Sequence, residues 1–145
     1  MYFGNYEHTL DDKGRLLIPR KLKEGLSEGS SLYVLKGYEG CLSVYNQNEF
    51  DSLVKECSSL SFNKKNSRAY LRIQLASACE LDIDRQGRAL LPTQLLNKYQ
   101  IGKEVIVIGA LDHIEVWNRA DYEEYEKNAE SSFETIAEEL SDKED

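Results

Sequence analysis

The stretches "DDKGRLLIP" (residues 11–19) and "DRQGRALLP" (residues 84–92) place Asp, Gly, Arg, Leu and Pro at the same offsets, 73 residues apart. Each is typical of a tight turn between two strands, because an Asp side chain bonds a nearby backbone N–H and a Gly adopts positive φ. The Pro closes the second strand and suits the first turn of a helix. The predicted turn residues are Asp11, Gly14, Asp84 and Gly87.

The arginine of each stretch is the residue that turn geometry does not require. Arg15 and Arg88 directly follow the Gly, where Thr, Val or Lys would serve a hairpin equally well. A plain structural hairpin, with Arg paired to Asp, is one interpretation. The other is nucleic-acid recognition, since Arg makes bidentate contacts with phosphate or guanine and a two-stranded ribbon fits the major groove. Duplication adds weight to the second interpretation, and both stay open on the motif alone. The candidate DNA contacts are Lys13, Arg15, Arg20, Lys21, Arg85 and Arg88.

Both halves of the chain continue in the same order after this motif. A short helical stretch, a run of β-formers, a hairpin and a longer helix follow each Pro. Each half is too small for a comfortable core of its own. The predicted fold is therefore mixed α/β and mainly β, with two half-domains in a pseudo-twofold arrangement joined by helices. The predicted segments are a first repeat (1–47), a helical connector (48–77), a second repeat (78–122) and an acidic helix or tail (123–145).

Helical spacing is clearest in the connector. Apolar residues from Phe50 to Leu60 recur at intervals of three and four, which predicts an amphipathic helix with Asn48 as its N-cap. A second helix is predicted over 65–78. The acidic segment shows weaker helical spacing, and we expect its last residues, "SDKED" (141–145), to be disordered.

Charge is divided unevenly along the chain. Residues 119–145 hold eleven acids and three bases, which accounts for the whole net charge of −8, whereas residues 1–118 hold fifteen of each. Basic clusters lie around the first motif and again at Lys64, Lys65, Arg68 and Arg72, where no acid occurs between residues 57 and 79. The acidic total therefore does not exclude an anionic partner.

Several classes of protein find little support in the sequence. No apolar run approaches the roughly 18 residues of a membrane span, and the first residues lack a signal peptide's pattern, so we expect a cytoplasmic protein. Three cysteines without a CxxC spacing predict buried, reduced thiols rather than a disulfide or metal site. We expect no cofactor. Catalysis would depend on His8, three residues before Asp11, but no nucleophile elbow accompanies it.

Three stretches together resemble the MraZ family of transcriptional regulators: "HTLDDKGRLLIP" (8–19), "SRAYLRIQLASACELDIDRQGRALLP" (67–92) and "VIVIGALDHIEVWN" (105–118). The resemblance implies tandem AbrB-like swapped-hairpin β-barrel repeats. It also implies a bacterial, nucleoid-associated regulator of its own promoter and of the division and cell-wall gene cluster. Such proteins are expected to form rings that bind short direct repeats in double-stranded DNA. The family motif falls on Asp11 with Arg15, on Asp84 with Arg88, and on Lys13.

The second motif departs from the first in charge. Gln86 stands where the first copy has Lys13, and Glu80 and Asp82 precede it. We therefore expect the first copy to dominate contact with DNA. Two alternatives stay open: a ring-forming protein-interaction or structural module without DNA readout, and an acidic tail that competes for the basic face. The aromatic start of the chain, with Tyr2, Phe3 and Tyr6, is either an interface or part of the packing within one subunit.

Overall fold

The computed structural model describes residues 1–24 and 31–144, apart from the side chains of Leu22, Lys143 and Glu144. It contains eight strands and six helices among these residues, in the order β1 Asn5–Thr9, β2 Arg15–Leu17, α1 Arg20–Glu24, β3 Leu32–Lys36, β4 Leu42–Asn46, α2 Gln47–Ser58, α3 Lys65–Ser77, β5 Cys79–Leu81, β6 Arg88–Leu90, α4 Thr93–Lys98, β7 Glu104–Gly109, β8 Ile114–Asn118, α5 Arg119–Ser131 and α6 Phe133–Glu144. The predicted mixed α/β class is confirmed.

The two repeats share both of the sheets described. Six antiparallel strands form one sheet in the order β1-β7-β8-β4-β3-β5, and β2 pairs with β6 in a separate ribbon. The first strand of each repeat thus lies at an edge, against the hairpin of the other repeat. Neither repeat can form its sheets alone, which agrees with the small size of each half.

The strand register has an approximate twofold symmetry. In the ribbon, Leu16 lies opposite Ala89, its counterpart in the other repeat. In the large sheet, β4 and β8 are neighbours, and Ser43 lies opposite Glu115 at the centre of their pairing. The symmetry axis passes between these pairs, so equivalent residues of the two motifs are brought to one place.

Alternation along the central strands divides the interior between two faces of the large sheet. Val105 and Val107 belong to a cluster that includes the ribbon and α4, whereas Ile106 packs with Trp117 and Cys41 on the opposite face. Period-two alternation explains this division, since successive strand side chains point to opposite faces. Helices cover the second face: α3 contacts β3, α2 contacts β4, and α5 contacts β7 and β8.

The connector helices confirm the predicted periodicity but correct the predicted cap. The N-cap of α2 is Asn46, whose side chain accepts a 2.9 Å hydrogen bond from the backbone N–H of Glu49. Asn48 already lies inside the helix, because β4 runs directly into α2 without a loop. The predicted second helix corresponds to α3, in which Leu71 is buried.

Other expectations need adjustment. Residues 141–144 of the segment expected to be disordered continue α6, and Asp145 lies outside the described residues. The short helical stretch predicted after Pro19 corresponds to α1, and residues 25–30 that follow it lie outside the described residues. β1 is an edge strand, and its residues Asn5, Tyr6 and Glu7 are exposed. Within the described ranges, no helix is long and apolar enough to cross a bilayer.

Candidate nucleic-acid interface

The first motif forms a turn in which one carboxylate organises the backbone. Asp11 Oδ1 accepts hydrogen bonds from the backbone N–H of Lys13 at 3.0 Å and of Arg15 at 2.9 Å. The N–H of Gly14 donates to the carbonyl of Asp11 at 2.9 Å, and Gly14 has φ of +82°. This is the turn chemistry that the sequence predicts for Asp and Gly.

The second motif repeats that geometry. Asp84 Oδ1 accepts from the backbone N–H groups of Gln86 and Arg88, each at 2.9 Å, and Gly87 has φ of +79°. Ala89, which follows Arg88, is fully buried, and so is Leu16, which follows Arg15 in the first motif. The local fold is therefore independent of the residue that occupies the Lys13 or Gln86 position.

The arginines have a structural partner within their own turns. Arg15 Nε donates to Asp11 Oδ2 at 2.6 Å, and Arg88 Nε donates to Asp84 Oδ2 at 2.9 Å. This is the pairing that the plain hairpin interpretation predicts. Each arginine side chain still has over a quarter of its surface exposed, at 27% for Arg15 and 30% for Arg88.

A second set of contacts joins the two turns to each other. Arg88 Nη1 lies 3.5 Å from Asp11 Oδ2, and Arg15 Nη1 lies 3.9 Å from Asp84 Oδ2. Backbone bonds add to this connection, because the N–H of Ile18 donates to the carbonyl of Gly87 at 3.0 Å. These cross-repeat contacts were not predicted from the sequence. We call the group formed by Asp11, Arg15, Asp84 and Arg88 the motif cluster.

The electrostatics of the motif cluster keep both carboxyl groups charged. The backbone hydrogen bond from Arg15 is the main cause that lowers the pKa of Asp11 from 3.8 to about 2, and the Arg15 side chain adds to it. The backbone hydrogen bond from Arg88 likewise lowers the pKa of Asp84. At neutral pH the motif cluster therefore balances two negative and two positive charges, and neighbouring lysines and arginines decide the sign of the surface.

The remaining candidate residues are exposed beside the motif cluster. Lys13 lies at the tip of the first turn and Arg85 in the second, while Arg20 and Lys21 open α1 directly after the ribbon. The amine of Lys21 lies 4.3 Å from the centre of the Phe3 ring. All six candidates thus lie on the ribbon, on its two turns or at the start of α1.

Two further lysines belong to the surroundings of the turns. A Cβ added at Gly87 would meet the Lys23 side chain, so this lysine from the first repeat lies over the second turn. Lys103 Nζ lies 2.5 Å from Asp12 Oδ1, which offsets one acid of the first motif. The lysine over the second turn was not among the predicted contacts, because only strand exchange brings it there.

A cleft of about 490 Å³ lies beside α1. The aromatic start of the chain forms part of its wall: Tyr2 is half-buried and bridged to Leu111, whereas 59% of Phe3 and 48% of Tyr6 are exposed. The cleft also includes Arg20 and Lys21. The aromatic start therefore divides between packing inside the subunit and surface beside the basic residues.

The catalytic alternative finds no matching geometry. His8 lies in β1 opposite Val105, while the carboxylate of Asp11 accepts bonds from the turn and from Arg15. His113 instead stacks on Tyr45 and contacts Asp112 at 2.6 Å. The part of the chain that the structure describes holds no group of three or more His, Cys, Asp or Glu side chains suited to a metal ion.

Comparisons with known proteins place this geometry in a family. The family model of the MraZ protein, described as antitoxin-like, matches residues 1–73 and 75–144. A protein of Thermoanaerobacter sp. (strain X514) named "Transcriptional regulator MraZ" is 43% identical over 142 residues, covering 98% of each chain. Proteins of the same name from Caldanaerobacter subterraneus subsp. tengcongensis (42% identical; 97% of this chain and 96% of the relative) and Pediococcus pentosaceus (40% identical; 98% of each) are similar over nearly their full lengths. The chain that carries the motif cluster belongs to the MraZ family.

Proposed function

We propose that this protein is a sequence-specific DNA-binding transcriptional regulator that acts as a ring-shaped homo-oligomer in the bacterial cytoplasm, at the nucleoid. Its relatives are named as transcriptional regulators rather than as enzymes. The proposed targets are short direct repeats in its own promoter, upstream of the division and cell-wall genes. The observation that carries the proposal is the pairing of two arginine-bearing turns at one surface by β2 and β6.

The hydrogen bonds of the motif cluster suit Arg15 for reading a base. Asp11 takes the Nε–H, so the guanidinium is held in one orientation before DNA arrives. The outer edge, formed by the two Nη atoms, would then meet the O6 and N7 acceptors of a guanine. Fixing the side chain in advance lowers the entropy lost on binding.

We assign the contacts with DNA phosphates to the basic side chains around the two turns. Lys13, Arg20 and Lys21 are exposed around the first turn, and Arg85 is exposed at the second, next to the half-buried Arg88 of the motif cluster. We assign Arg85 and Arg88 the corresponding role at the second turn. Gln86 carries no charge where Lys13 does, so the first turn contributes the larger share of binding. Phosphate contacts fix the register of the protein on the duplex, whereas Arg15 supplies sequence discrimination.

A single subunit would discriminate too weakly for a promoter. One bidentate arginine–guanine contact contributes about 1–3 kcal/mol of discrimination. A ring that presents several identical turns at fixed spacing gains affinity roughly 10²–10⁴-fold when that spacing matches repeated boxes in the DNA. Direct repeats suit a ring because its subunits follow one another in the same orientation.

The test is binding of the purified full chain to the DNA upstream of its own gene, compared with a shuffled duplex of equal length. Arg15→Ala is expected to weaken binding to the native duplex by about tenfold or more and to bring it close to that of the shuffled duplex. Arg119→Ala is the matched control. It removes an arginine that pairs with Glu7 and Glu123 rather than with a residue of either turn, and is expected to leave binding unchanged.

The same experiment distinguishes the alternative function. If the unaltered protein binds native and shuffled duplexes equally, sequence readout is excluded. If it binds neither duplex at low salt, the protein is a ring-forming interaction module instead. Unchanged affinity in Arg15→Ala would remove Arg15 from base recognition, while leaving DNA binding through the other cations.

A further inference from the structure

The cleft beside α1 combines an apolar floor with an aromatic wall. Its floor includes Val107 and Ile114, which belong to the buried core. Its wall includes the exposed aromatic side chains of Phe3 and Tyr6. The volume of about 490 Å³ lies within the range of sites that hold small organic ligands, roughly 300–1,000 Å³. The cleft therefore has the size and the apolar surface of a small-molecule site.

The backbone fixes the aromatic wall to the large sheet. Tyr2 and Leu111 exchange backbone hydrogen bonds of 2.8 and 3.0 Å. The N–H of Gly109 donates to the carbonyl of Gly4 at 2.9 Å. A Cβ at Gly109 would collide with the backbone of Phe3, so glycine is needed for the start of the chain to lie this close to β7. A wall that is formed in advance loses little entropy when a ligand binds.

The charged side chains that line the cleft, among the residues described, are all basic. Arg20, Lys21 and Lys23 line it, and none of the described lining residues is Asp or Glu. None of these three cations forms an ion pair with a described carboxylate. The chain as a whole carries a net charge of −8. A local excess of positive charge in an acidic protein favours an anionic ligand at this place.

The equivalent positions of the second repeat carry no charge. Four residues of the cleft and their counterparts 73 residues later are His8 with Leu81, Arg20 with Thr93, Lys21 with Gln94, and Lys23 with Leu96. The correspondence is also spatial, because a Cβ at Gly14 would meet Leu96 and a Cβ at Gly87 would meet Lys23. Leu81 and Leu96 are buried in the core. The same backbone thus accepts apolar side chains, and packing does not account for the basic ones in the first repeat.

The position of Lys21 indicates the chemistry of the ligand. Its amine lies 4.3 Å from the centre of the Phe3 ring, so a positive charge and an aromatic side chain occur side by side. Arginine and lysine both bind phosphate, which carries between one and two negative charges at neutral pH. Aromatic side chains pack against planar rings in stacked or edge-to-face arrangements. A planar ring that bears a phosphate makes use of both properties.

We propose that the cleft binds a small molecule made of a planar ring and a phosphate, the chemistry of a mononucleotide, and that the bound molecule competes with DNA. Arg20 and Lys21 hold the phosphate, while Phe3 and Tyr6 contact the ring. Both cations are assigned to DNA phosphates in the proposed function, so a ligand that occupies them weakens duplex binding. The competition rests on the proposed function, whereas the site itself does not.

The experiment is isothermal titration calorimetry of the full chain without DNA. Two probes, AMP and phenyl phosphate, carry both a ring and a phosphate, whereas adenosine lacks the phosphate and inorganic phosphate lacks the ring. One molecule of a ring phosphate is expected to bind per chain with a Kd below about 1 mM, and adenosine and inorganic phosphate about tenfold more weakly or less. Binding of AMP alone identifies nucleotides as the ligand class, and binding of phenyl phosphate identifies ring phosphates more broadly.

Two variants place the binding in the cleft. Arg20→Thr with Lys21→Gln introduces the residues of the second repeat, and is expected to weaken binding of the tighter probe by about tenfold or more. Phe3→Leu removes the ring but keeps an apolar side chain, and is expected to weaken it about threefold. The control, Lys64→Gln with Lys65→Gln, removes two positive charges outside the cleft and is expected to have no effect. All five positions are exposed, and thermal unfolding verifies that each variant is folded.

Three results would overturn the site. They are no saturable binding of either ring phosphate, equally tight binding of inorganic phosphate, and unchanged binding in the Arg20→Thr, Lys21→Gln variant. Equally tight inorganic phosphate would reduce the observation to general attraction of anions. An equal loss in the control variant would do the same.

Competition is measured separately, by titrating the native duplex with and without a saturating ring phosphate, against inorganic phosphate at equal concentration. The bound probe is expected to weaken duplex binding and to reduce the slope of log affinity against log salt by about 2, since two phosphate contacts are lost. Unchanged duplex affinity would overturn the competition. Probe binding by a protein that binds no duplex would overturn the proposed function and leave the site in place, and specific duplex binding without probe binding would do the reverse.

Discussion

The two Asp-x-x-x-Arg turns have nearly the same internal geometry but different surroundings. In each, the aspartate accepts two backbone N–H groups and the arginine Nε. The first turn has an exposed lysine at its tip and a basic helix after the ribbon, whereas α4 after the second turn buries Leu95 and Leu96. The repeated motif therefore builds one structural unit twice, and the two copies differ in the residues around them.

The observed structural role of the two motif arginines is distinct from the base recognition proposed for Arg15. Arg15 and Arg88 both hold their own turn and both reach toward the aspartate of the other repeat. These contacts explain why arginine is present twice without reference to DNA. Base recognition is proposed for Arg15 on the basis of its remaining exposed edge and its cationic neighbours, and the duplicated arginine by itself does not establish it.

The largest expected effect is on the core of the ribbon, where Leu16 faces Ala89 and both are fully buried. Leu16→Ala is expected to lower the free energy of unfolding by about 2–5 kcal/mol, because it opens a cavity. Ala89→Leu is expected to cost about 1–3 kcal/mol through overpacking. Urea unfolding of each variant and of the exchanged double variant measures these costs.

The double variant tests whether the two turns are interchangeable. If the pair acts as one packing unit, exchanging Leu16 and Ala89 restores much of the stability that each single change removes. Costs that simply add in the double variant would show that the two repeats differ beyond the ribbon itself.

A smaller effect is expected at the two glycines. Gly14→Ala and Gly87→Ala each force a side chain into the left-handed region, at φ of +82° and +79°, which costs about 1–2 kcal/mol. Gly14→Ala is expected to cost more, because its Cβ would lie 3.1 Å from Leu96 Cδ1, whereas at Gly87 the flexible end of Lys23 can move away. Thermal unfolding compares the two. Equal losses would contradict this ranking.

The charge difference between the turns is tested by exchanging their tips. Lys13→Gln is expected to reduce the slope of log affinity against log salt by about 1, since it removes one phosphate contact. Gln86→Lys is expected to change the slope less, because the second turn contributes less to DNA binding. Salt titrations of duplex binding measure both. A larger effect at Gln86 would reverse the proposed order of the turns.

The smallest effect is the pH dependence of the motif cluster. The folded pKa of Asp11 is about 2, below its ordinary 3.8, so its ionisation stabilises the fold above pH 3.8. This contribution declines as pH falls from 3.8 through about 2. Asp11→Asn is expected to flatten the acid limb of stability measured by urea unfolding, and Asp84→Asn to do the same, since its pKa is also lowered. An unchanged acid limb in both variants would contradict the ionic role of the motif cluster.

Much of the local structure follows from the sequence. The Asp and Gly of each turn, the run of β-formers that includes Val105 to Ile108, and the helical spacing from Phe50 to Leu60 predict elements that the structure contains. The first residue of a helix follows less directly from the sequence. Asn48 has the composition of a cap, but Asn46 takes that position because the strand before it ends without a loop. Capping depends on where the preceding chain turns, which local composition does not specify.

The candidate site was predictable only in part. Asp11 and Arg15 form a pair four residues apart, and the motif itself predicts this pairing. The contact between Arg88 and Asp11, 77 residues apart, depends on strand exchange. The position of Lys23 over Gly87 depends on it too. No local rule links such distant positions, because the register of β2 against β6 sets them.

The amino-acid sequence alone specifies the turns, the repeat, the order of strands and helices along the chain, and the concentration of negative charge after residue 118. These features depend on backbone preferences and side-chain periodicity within a few residues. The tertiary structure was needed to show that the repeats share their sheets and that the two arginines meet both aspartates. Those features arise because neither half buries enough apolar surface alone, so each completes the other's sheet and their equivalent turns meet at one axis.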